Sequence, residues 1–438
     1  MTPAPAPAQQ GAPVTPPEVP IPVMTVEEAR ELVFSRITPL PAEEVWLLDS
    51  LGRVLAEDAV SDIDVSPFDN SAMDGFAVRA ADLADATAET PRQLLVIAHI
   101  GAGDDVAGIE VGPGEAARIM TGAAVPAGAD SVVMVERTRV LAGDGGIGST
   151  MAFEIEPRVG EHIRLQGEEV RAGDVVIPTG DIIGPAGIGL LASTGHATVR
   201  VYRRPRVAVL STGSELVEVA ETPGPAKIRN SNSYSIAAQV LATGAIPVRY
   251  PIVPDDLEAT RDAFNLAADE CDFILTSGGV SVGDFDYVKP VLEELGELDF
   301  AKVKMRPGNP QTLGSIRGVP FFGLPGNPTS TYVGFEIFVR PALRRMMGFS
   351  AIDRPVTVAR LAHDVKKKQD RRYYLRGRIE RDSAGDGYLA SLPNSQSSAL
   401  LTAAHRGNCF VVLPEGEGVF PAGTQVDCVR LDMEEGTA

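Results

Sequence analysis

The stretch Thr276-Ser277-Gly278-Gly279-Val280-Ser281-Val282-Gly283-Asp284-Phe285-Asp286-Tyr287 decides how the chain is read. The apolar run Cys271 to Leu275 before it reads as a buried strand, and Tyr287 to Leu295 after it reads as a helix. A glycine-rich turn from strand to helix presents backbone N–H groups at the positive end of the helix dipole. That arrangement suits a phosphate or another oxyanion. The competing reading is a tight turn that needs only the conformational freedom of glycine. The flanking Ser277 and Ser281 favour the oxyanion reading.

Around this stretch, strands alternate with helices. Arg206–Leu210, Pro247–Val253, Phe300–Met305 and Pro320–Gly323 read as strands. Asn232–Ala242, with Gly244 placed to end it, Asp255–Ala268 and the segment after Pro328 read as helices. The alternation predicts a parallel sheet with helices on both faces, whose ligands sit outside the carboxyl ends of the strands. Those ends carry Ser211-Thr212-Gly213-Ser214-Glu215, Pro254-Asp255-Asp256, the opening motif, Arg306-Pro307-Gly308-Asn309-Pro310 and Leu324-Pro325-Gly326-Asn327-Pro328. Turns of this kind on every strand end of one edge predict a site there. No Gly-Lys pair occurs in the chain, and its G-x-G-x-x-G, Gly143 to Gly148, lies in the expected hairpin tip rather than between a strand and a helix, so a P-loop or dinucleotide fold is disfavoured.

Glu215, Asp255 and Asp286 place three carboxylates on that edge. Asp255 and Asp286 each have a second reading as a helix N-cap. Carboxylates beside a phosphate call for a hard cation such as Mg²⁺, which makes metal-assisted chemistry on a phosphoanhydride the working hypothesis. Lys302, Lys304 and Arg306 alternate along one expected strand, which puts them on one face for an anion. The run Lys366-Lys367-Lys368 with Arg371 and Arg372 reads as a solvated hairpin.

The remainder of the chain reads as several smaller parts. Residues 1–22 are Pro/Ala-rich and expected to be disordered. Thr25 and Glu28 form a capping box ahead of a helix with Val26, Ala29, Val33 and Ile37 on one face. Pro39 and Pro41 end it, and a second short helix is expected over Ala42 to Leu47. From Arg53 to Val140 short strands alternate with turns, Leu141 to Thr150 reads as a hairpin tip, and Gly184 to Ser193 as a helix. After Pro355, Val356–Leu361, Tyr373–Glu380, Tyr388–Leu392, Cys409–Leu413 and Gln425–Leu431 read as strands of a small barrel or sandwich.

Composition sets the outer limits. The formal net charge of −20 argues against non-specific nucleic-acid or anionic-membrane binding. Three widely spaced cysteines without a C-x-x-C pattern indicate free thiols in a reducing compartment. No apolar run is long enough to span a bilayer and no signal-peptide pattern opens the chain, so a cytoplasmic protein is expected.

Five motifs resemble one family. They are Phe68-Asp69-Asn70-Ser71-Ala72-Met73-Asp74-Gly75-Phe76-Ala77-Val78, Ile119-Met120-Thr121-Gly122-Ala123, Ser211 to Leu216, Ser277 to Gly283 and Gly323 to Pro328. Together they look like molybdopterin molybdenumtransferases, the bacterial MoeA-type proteins and the gephyrin E domain, over about residues 24 to 434. The resemblance implies a multidomain α/β plus β chain. Residues 23–66 and 160–203 would form an elongated first domain, and 67–159 a β-rich insertion. Residues 204–350 would form a parallel-sheet α/β domain like molybdopterin adenylyltransferase, and 351–438 a small β-barrel. It implies a homodimer with an intersubunit active site. It implies insertion of molybdate into adenylylated molybdopterin with Mg²⁺-dependent release of AMP, the last step of molybdenum cofactor synthesis. Molybdopterin adenylyltransferase and molybdoenzyme apoproteins would be protein partners.

By position, the resemblance implies that Glu215, Asp255 and Asp286 surround the adenylyl phosphate, with Asp255 and Asp286 as metal ligands. Asp74, Thr121 and Glu169 match second-domain and interdomain positions important for activity. Ser277, Gly278, Gly279, Ser281, Pro325 and Pro328 are expected as cofactor-binding positions. Arg306, Pro307, Arg376 and Ser398 match the molybdate region, and Lys302 a site lysine. Three departures stand out: Asn309 where a lysine is frequent, and Ser214 and Glu169 where aspartates are frequent. The alternatives are a non-catalytic gephyrin-like scaffold, a stand-alone adenylyltransferase and a tungstate-selective paralogue.

Overall fold

The computed structural model describes residues 23–278, 288–383 and 385–436, with backbone only at 289 and 298–301. The chain divides into two units, one of residues up to Pro41 together with Tyr202 onwards, the other Ala42–Val201.

The first unit is built on a seven-stranded sheet. Its strands are β1 (Val23–Met24), β2 (Arg206–Ser211), β3 (Ile246–Arg249), β4 (Phe273–Ser277), β5 (Gly296–Val303), β7 (Pro310–Ile316) and β8 (Val319–Leu324), with β6 (Met305–Arg306) leaving the sheet between β5 and β7. The order is β1-β5-β7-β8-β4-β2-β3. Side chains alternate across it. Val207, Val209, Phe273 and Leu275 enter one core, and Ala208, Leu210 and Ile274 enter the other. Helices α1 (Val26–Ser35) and α2 (Ser231–Thr243) cover the first face, and α3 (Leu257–Glu270) and α4 (Val288–Leu295) the second. The Thr25–Glu28 capping box is present, and Val26, Ala29 and Val33 pack in the α/β core. Gly244 ends α2 in the left-handed conformation.

One strand departs from the expected parallel sheet. β7 runs antiparallel to both β5 and β8. It joins β8 through Arg317-Gly318, which both have positive φ, the twist a two-residue hairpin needs. The basic residues expected along one strand are also separated. β5 stops at Val303, Lys304 lies in a bend, and Arg306 belongs to β6, which pairs with the next domain.

The chain then passes through α5 (Pro328–Gly334), a π-helical turn at Phe335–Val339 and α6 (Arg340–Met346), nearly all buried. Arg340 and Arg344 meet Glu435 at 2.5 and 3.4 Å, and Arg354 meets Glu336 at 3.2 Å. Five of the strands that follow belong to one sheet: β9 (Val356–Leu361), β10 (Arg372–Arg381), β11 (Tyr388–Ser391), β12 (Cys409–Leu413) and β13 (Gln425–Arg430). They pair in the circuit β10-β11-β9-β13-β12 and back to β10, a closed barrel. Leu375, Val411, Leu413 and Cys428 are among the residues that fill it.

In the second unit, a six-stranded sheet runs from Gly75 to Phe153. Chain segments on either side of it pair with each other: Asn70–Ser71 with Ile163–Arg164, Ala59–Val60 with Val175–Ile177, and Ala42–Trp46 with Thr198–Tyr202. The expected helix over Ala42 to Leu47 is therefore a strand, followed by a 3-10 turn at Leu47–Ser50. Cross-strand pairing overrides the helical preference of Ala42, Glu43 and Glu44. The hairpin at 141–150 and the helix at Pro185–Ser193 form as expected.

Candidate active site

The carboxyl ends of β2, β4 and β8 converge. The Gly278 N–H donates to Leu324 O at 3.1 Å, and the Asn232 side-chain amide donates to Ser277 Oγ (2.6 Å) and to Gly326 O (2.8 Å). Asn232 lies in the first turn of α2, so the positive end of that helix dipole points at the same edge. Gly278 has φ +88°, and a Cβ there would stand 3.2 Å from Thr212 O. The turn therefore favours glycine by its conformation, and a Cβ would fit there only tightly. Ser211 Oγ, Thr276 Oγ1 and Asn232 Oδ1 are buried without a hydrogen-bond partner among the described residues. Buried polar atoms without partners are costly, and Ser211 and Thr276 lie at or next to the carboxyl ends of their strands, on opposite faces of the sheet.

Beside this edge, Ser214 donates to Asp255 Oδ2 from its backbone N–H at 2.8 Å and again from its hydroxyl. Lys227 Nζ donates to Ser214 O, and the Ile228 N–H to Glu215 O at 2.9 Å, which fixes the turn. The Glu215 carboxylate folds back over Gly213, where a Cβ would come within 2.3 Å of Glu215 Oε2. The N-cap of α3 is Asp256, not Asp255: Asp256 accepts from the Ala259 N–H at 2.8 Å. Asp255 is thus not engaged in capping. Asp286, Asp284, Gly279 and Ser281 lie outside the described residues. A magnesium ion takes hard oxygen donors, commonly one or two carboxylates together with substrate phosphates. Asp255 and Glu215 supply that donor chemistry. No group of three or more metal-ligating side chains is gathered among the described residues.

A second concavity, about 650 Å³, opens between β6 and the barrel and is lined by Arg306, Pro307, Lys366, Lys368, Arg376 and Gln396 among others. Arg376 is only 1% exposed, and its Nε has no partner among the described residues. Its Nη2 donates to Ser397 O at 3.1 Å. Burial, and secondly the nearby Arg306 charge, push its pKa down to about 10. The Arg306 guanidinium lies 5.3 Å from the Tyr373 ring centre and donates to its hydroxyl at 3.2 Å. A buried cation beside another cation has the chemistry to receive an anion.

The basic run does not form a solvated hairpin. Lys367 is buried, with Nζ bonded to Pro414 O and, at 2.5 Å, to Gly416 O. Lys366 and Lys368 border the same concavity. Ser398 contributes its carbonyl, which accepts from the Thr329 N–H at 2.9 Å. Pro325 and Pro328 flank the turn after β8, Pro328 opening α5. Lys302 is exposed on β5 opposite Pro310 and is not among the residues lining the 650 Å³ concavity.

In the second unit, Thr121 donates to Asp74 Oδ1 from both its N–H and its hydroxyl, each at 2.8 Å. Those bonds, and more weakly Arg118, hold the Asp74 carboxyl below its usual range. Thr179 and Asp58 form the same clasp at 2.7 and 2.8 Å, so the geometry alone does not mark Asp74 as functional. Glu169 borders a different concavity of about 660 Å³ beside the Pro185–Ser193 helix.

Sequence reasoning missed Asn232, Tyr373 and Gln396. The Asn230-Ser231-Asn232 cluster at the start of a helix on the ligand edge was the available signal for the first; the other two carry none.

Three family patterns match in succession: the MoeA N-terminal region (domain I and II) over residues 24–195, the "Probable molybdopterin binding domain" over 208–345, and the MoeA C-terminal region (domain IV) over 358–431. A molybdopterin molybdenumtransferase of Staphylococcus aureus is 40% identical over 416 residues, covering 95% of this chain and 96% of its own. The chain belongs to the molybdopterin molybdenumtransferase family. The family member of Bacillus subtilis is 38% identical, covering 92% of this chain and 97% of its own. The crystal structure of the molybdopterin biosynthesis MoeA protein from Pyrococcus horikosii superposes with a TM-score of 0.80 at 33% identity, over 94% of this chain and 100% of that one. As a molybdenumtransferase-family chain, it has the expected α/β and barrel fold. No described helix is long and apolar enough to cross a membrane.

Proposed function

We propose that this protein inserts molybdate into adenylylated molybdopterin with magnesium-dependent release of AMP. The observation that carries the reading is the buried, uncompensated guanidinium of Arg376 on the basic cleft of a chain 40% identical to a molybdopterin molybdenumtransferase. Molybdate is a tetrahedral dianion, and Arg376 and Arg306 would bind and orient it with charge-assisted hydrogen bonds. The adenylyl phosphate would lie at the converging strand ends, where the Gly278 turn and the α2 N-terminus favour negative charge. Asp255 and Glu215, with Asp286, would hold Mg²⁺, which neutralises charge developing on the phosphoanhydride. The Ser214 clasp keeps one Asp255 oxygen occupied and orients the other.

The family resemblance extends this proposal to a homodimeric, cytoplasmic enzyme, to Asp74 and Thr121 acting in turnover, and to Ser281, Gly279, Lys302, Pro307, Ser398 and Glu169 as site residues. The test is incubation of the purified protein with adenylylated molybdopterin, Mg²⁺ and molybdate. AMP release and cofactor able to restore a molybdenum-free apoenzyme are the expected products; absence of both defeats the reading. Sedimentation analysis checks the dimer.

A further inference from the structure

Strand β10 has an interruption on one edge. β6 pairs with it at Arg372 and Tyr373, and β11 pairs with it only from Arg378 onwards. Between these, the backbone of Arg376 faces no strand on that side. A side chain takes the strand's place: the Arg376 N–H donates to Gln396 Oε1 at 3.1 Å, and Gln396 Nε2 donates to Arg376 O at 2.8 Å. This reciprocal pair imitates a β-bridge, satisfying a donor and an acceptor that would otherwise be buried unmet. The next residue, Ser397, supplies the carbonyl that holds the Arg376 guanidinium. The far end of the same loop is tied to α5, where the Thr329 N–H donates to Ser398 O at 2.9 Å and Thr329 Oγ1 to Leu400 O at 3.1 Å.

We propose that Gln396 is a positioning residue for oxyanion binding. Its amide clamps the Arg376 main chain and so holds the loop whose Ser397 carbonyl aims the Arg376 guanidinium into the cleft. This rests on the reading of the cleft as the molybdate site. Thr329 secures the other end of the loop, linking the anion cleft to the Pro325–Pro328 turn. The physical requirement is clear. A long arginine in a cleft has many rotamers, and a carbonyl acceptor fixed at one point selects among them before the anion arrives.

The experiment compares wild type, Gln396→Ala and Thr329→Val by isothermal titration with sodium molybdate and by steady-state AMP release. Gln396→Ala should weaken molybdate binding roughly tenfold through two lost hydrogen bonds. KM for molybdate should rise in step, with kcat at saturating molybdate unchanged. Thr329→Val, which keeps the backbone bond to Ser398, should give a smaller rise of about threefold. A loss of kcat without a change in molybdate affinity, or affinity within about twofold of wild type, overturns the proposal while leaving the site reading intact. If Gln396→Ala does not fold, unchanged affinity in Thr329→Val overturns it instead. A wild-type protein that binds no molybdate overturns both.

Discussion

Asp255 and Ser214 are joined twice, by the Ser214 backbone N–H and by its hydroxyl, at the same carboxylate oxygen. The neighbouring Asp256 performs the helix capping that Asp255 does not. On the proposed reading, the two aspartates separate magnesium binding from stability. Asp255→Asn should leave the melting temperature near wild type and weaken magnesium dependence of AMP release at least tenfold, by roughly the scale of lost metal-shell contacts. Asp256→Ala should destabilise by about 1 kcal/mol, the usual cost of an N-cap, with magnesium dependence unchanged. Thermal melts and Mg²⁺ titrations of turnover distinguish them; the reverse pattern would refute the assignment.

Arg376 places a second function at odds with stability. Its charge is buried without a carboxylate, so Arg376→Met removes a desolvated cation and fills the space with an apolar chain. The variant should melt at or above the wild-type temperature and lose saturable molybdate binding. A drop in stability together with retained binding would show that Arg376 is structural.

The Thr121 clasp makes a pH prediction with a built-in control. Asp74 is held below its usual pKa by the Thr121 N–H first, then the hydroxyl. A depressed carboxyl stabilises the fold above its unfolded value, about 3.9, and that stabilisation is lost as pH falls through the lower folded value. Thr121→Ala removes one of the two bonds, so NMR titration should find the Asp74 pKa raised partway towards the ordinary range, and turnover should fall. Thr179→Ala should raise the Asp58 pKa in the same way, because Thr179 depresses it by the same bonds. It should leave turnover unchanged. Equal loss of activity in both would make the clasps purely structural.

Glu435 is the shared charge partner of three arginines. Its side chain is 2% exposed and contacts Arg340, Arg344 and Arg354. Burial alone would raise its pKa, but the arginines hold it below the usual value. Glu435→Ala leaves buried arginines short of a counter-charge and should cost about 3 kcal/mol, measured by urea denaturation at neutral pH. Because the folded pKa is depressed, the wild-type advantage is full above the unfolded pKa and fades as pH falls through the folded one. A difference that persisted unchanged into strong acid would exclude an electrostatic origin.

The alternating strands and helices from Arg206 onwards, and the barrel strands from Val356, were legible because their apolar periods are long and clean. The antiparallel strand Pro310–Ile316 was not, since Pro310, Gln311, Gly314 and Ser315 dilute its β pattern. Its identity depends on the Arg317-Gly318 turn and on neighbours already being strands. Ala42–Trp46 looked helical by residue type, and a partner more than 150 residues away decides otherwise. The N-cap moved from Asp255 to Asp256 because adjacent aspartates satisfy the same spacing rule. The burial of Arg376 and Lys367 was invisible for a different reason. Each is enclosed by a loop distant in sequence, at 395–400 and 414–416, so nothing local distinguishes them from surface cations.

Strand β6 is only Met305 and Arg306, yet it is hydrogen-bonded to the barrel while its chain belongs to the preceding sheet. The barrel is thus not a portable module. A chimera that exchanged barrels between relatives would bring a foreign Tyr373 against a resident Arg306, and the junction at residue 351 that the sequence suggests would split the lining of the proposed oxyanion cleft. Exchanges that carry residues 305–307 along with the barrel keep the two halves of that lining from the same ancestor.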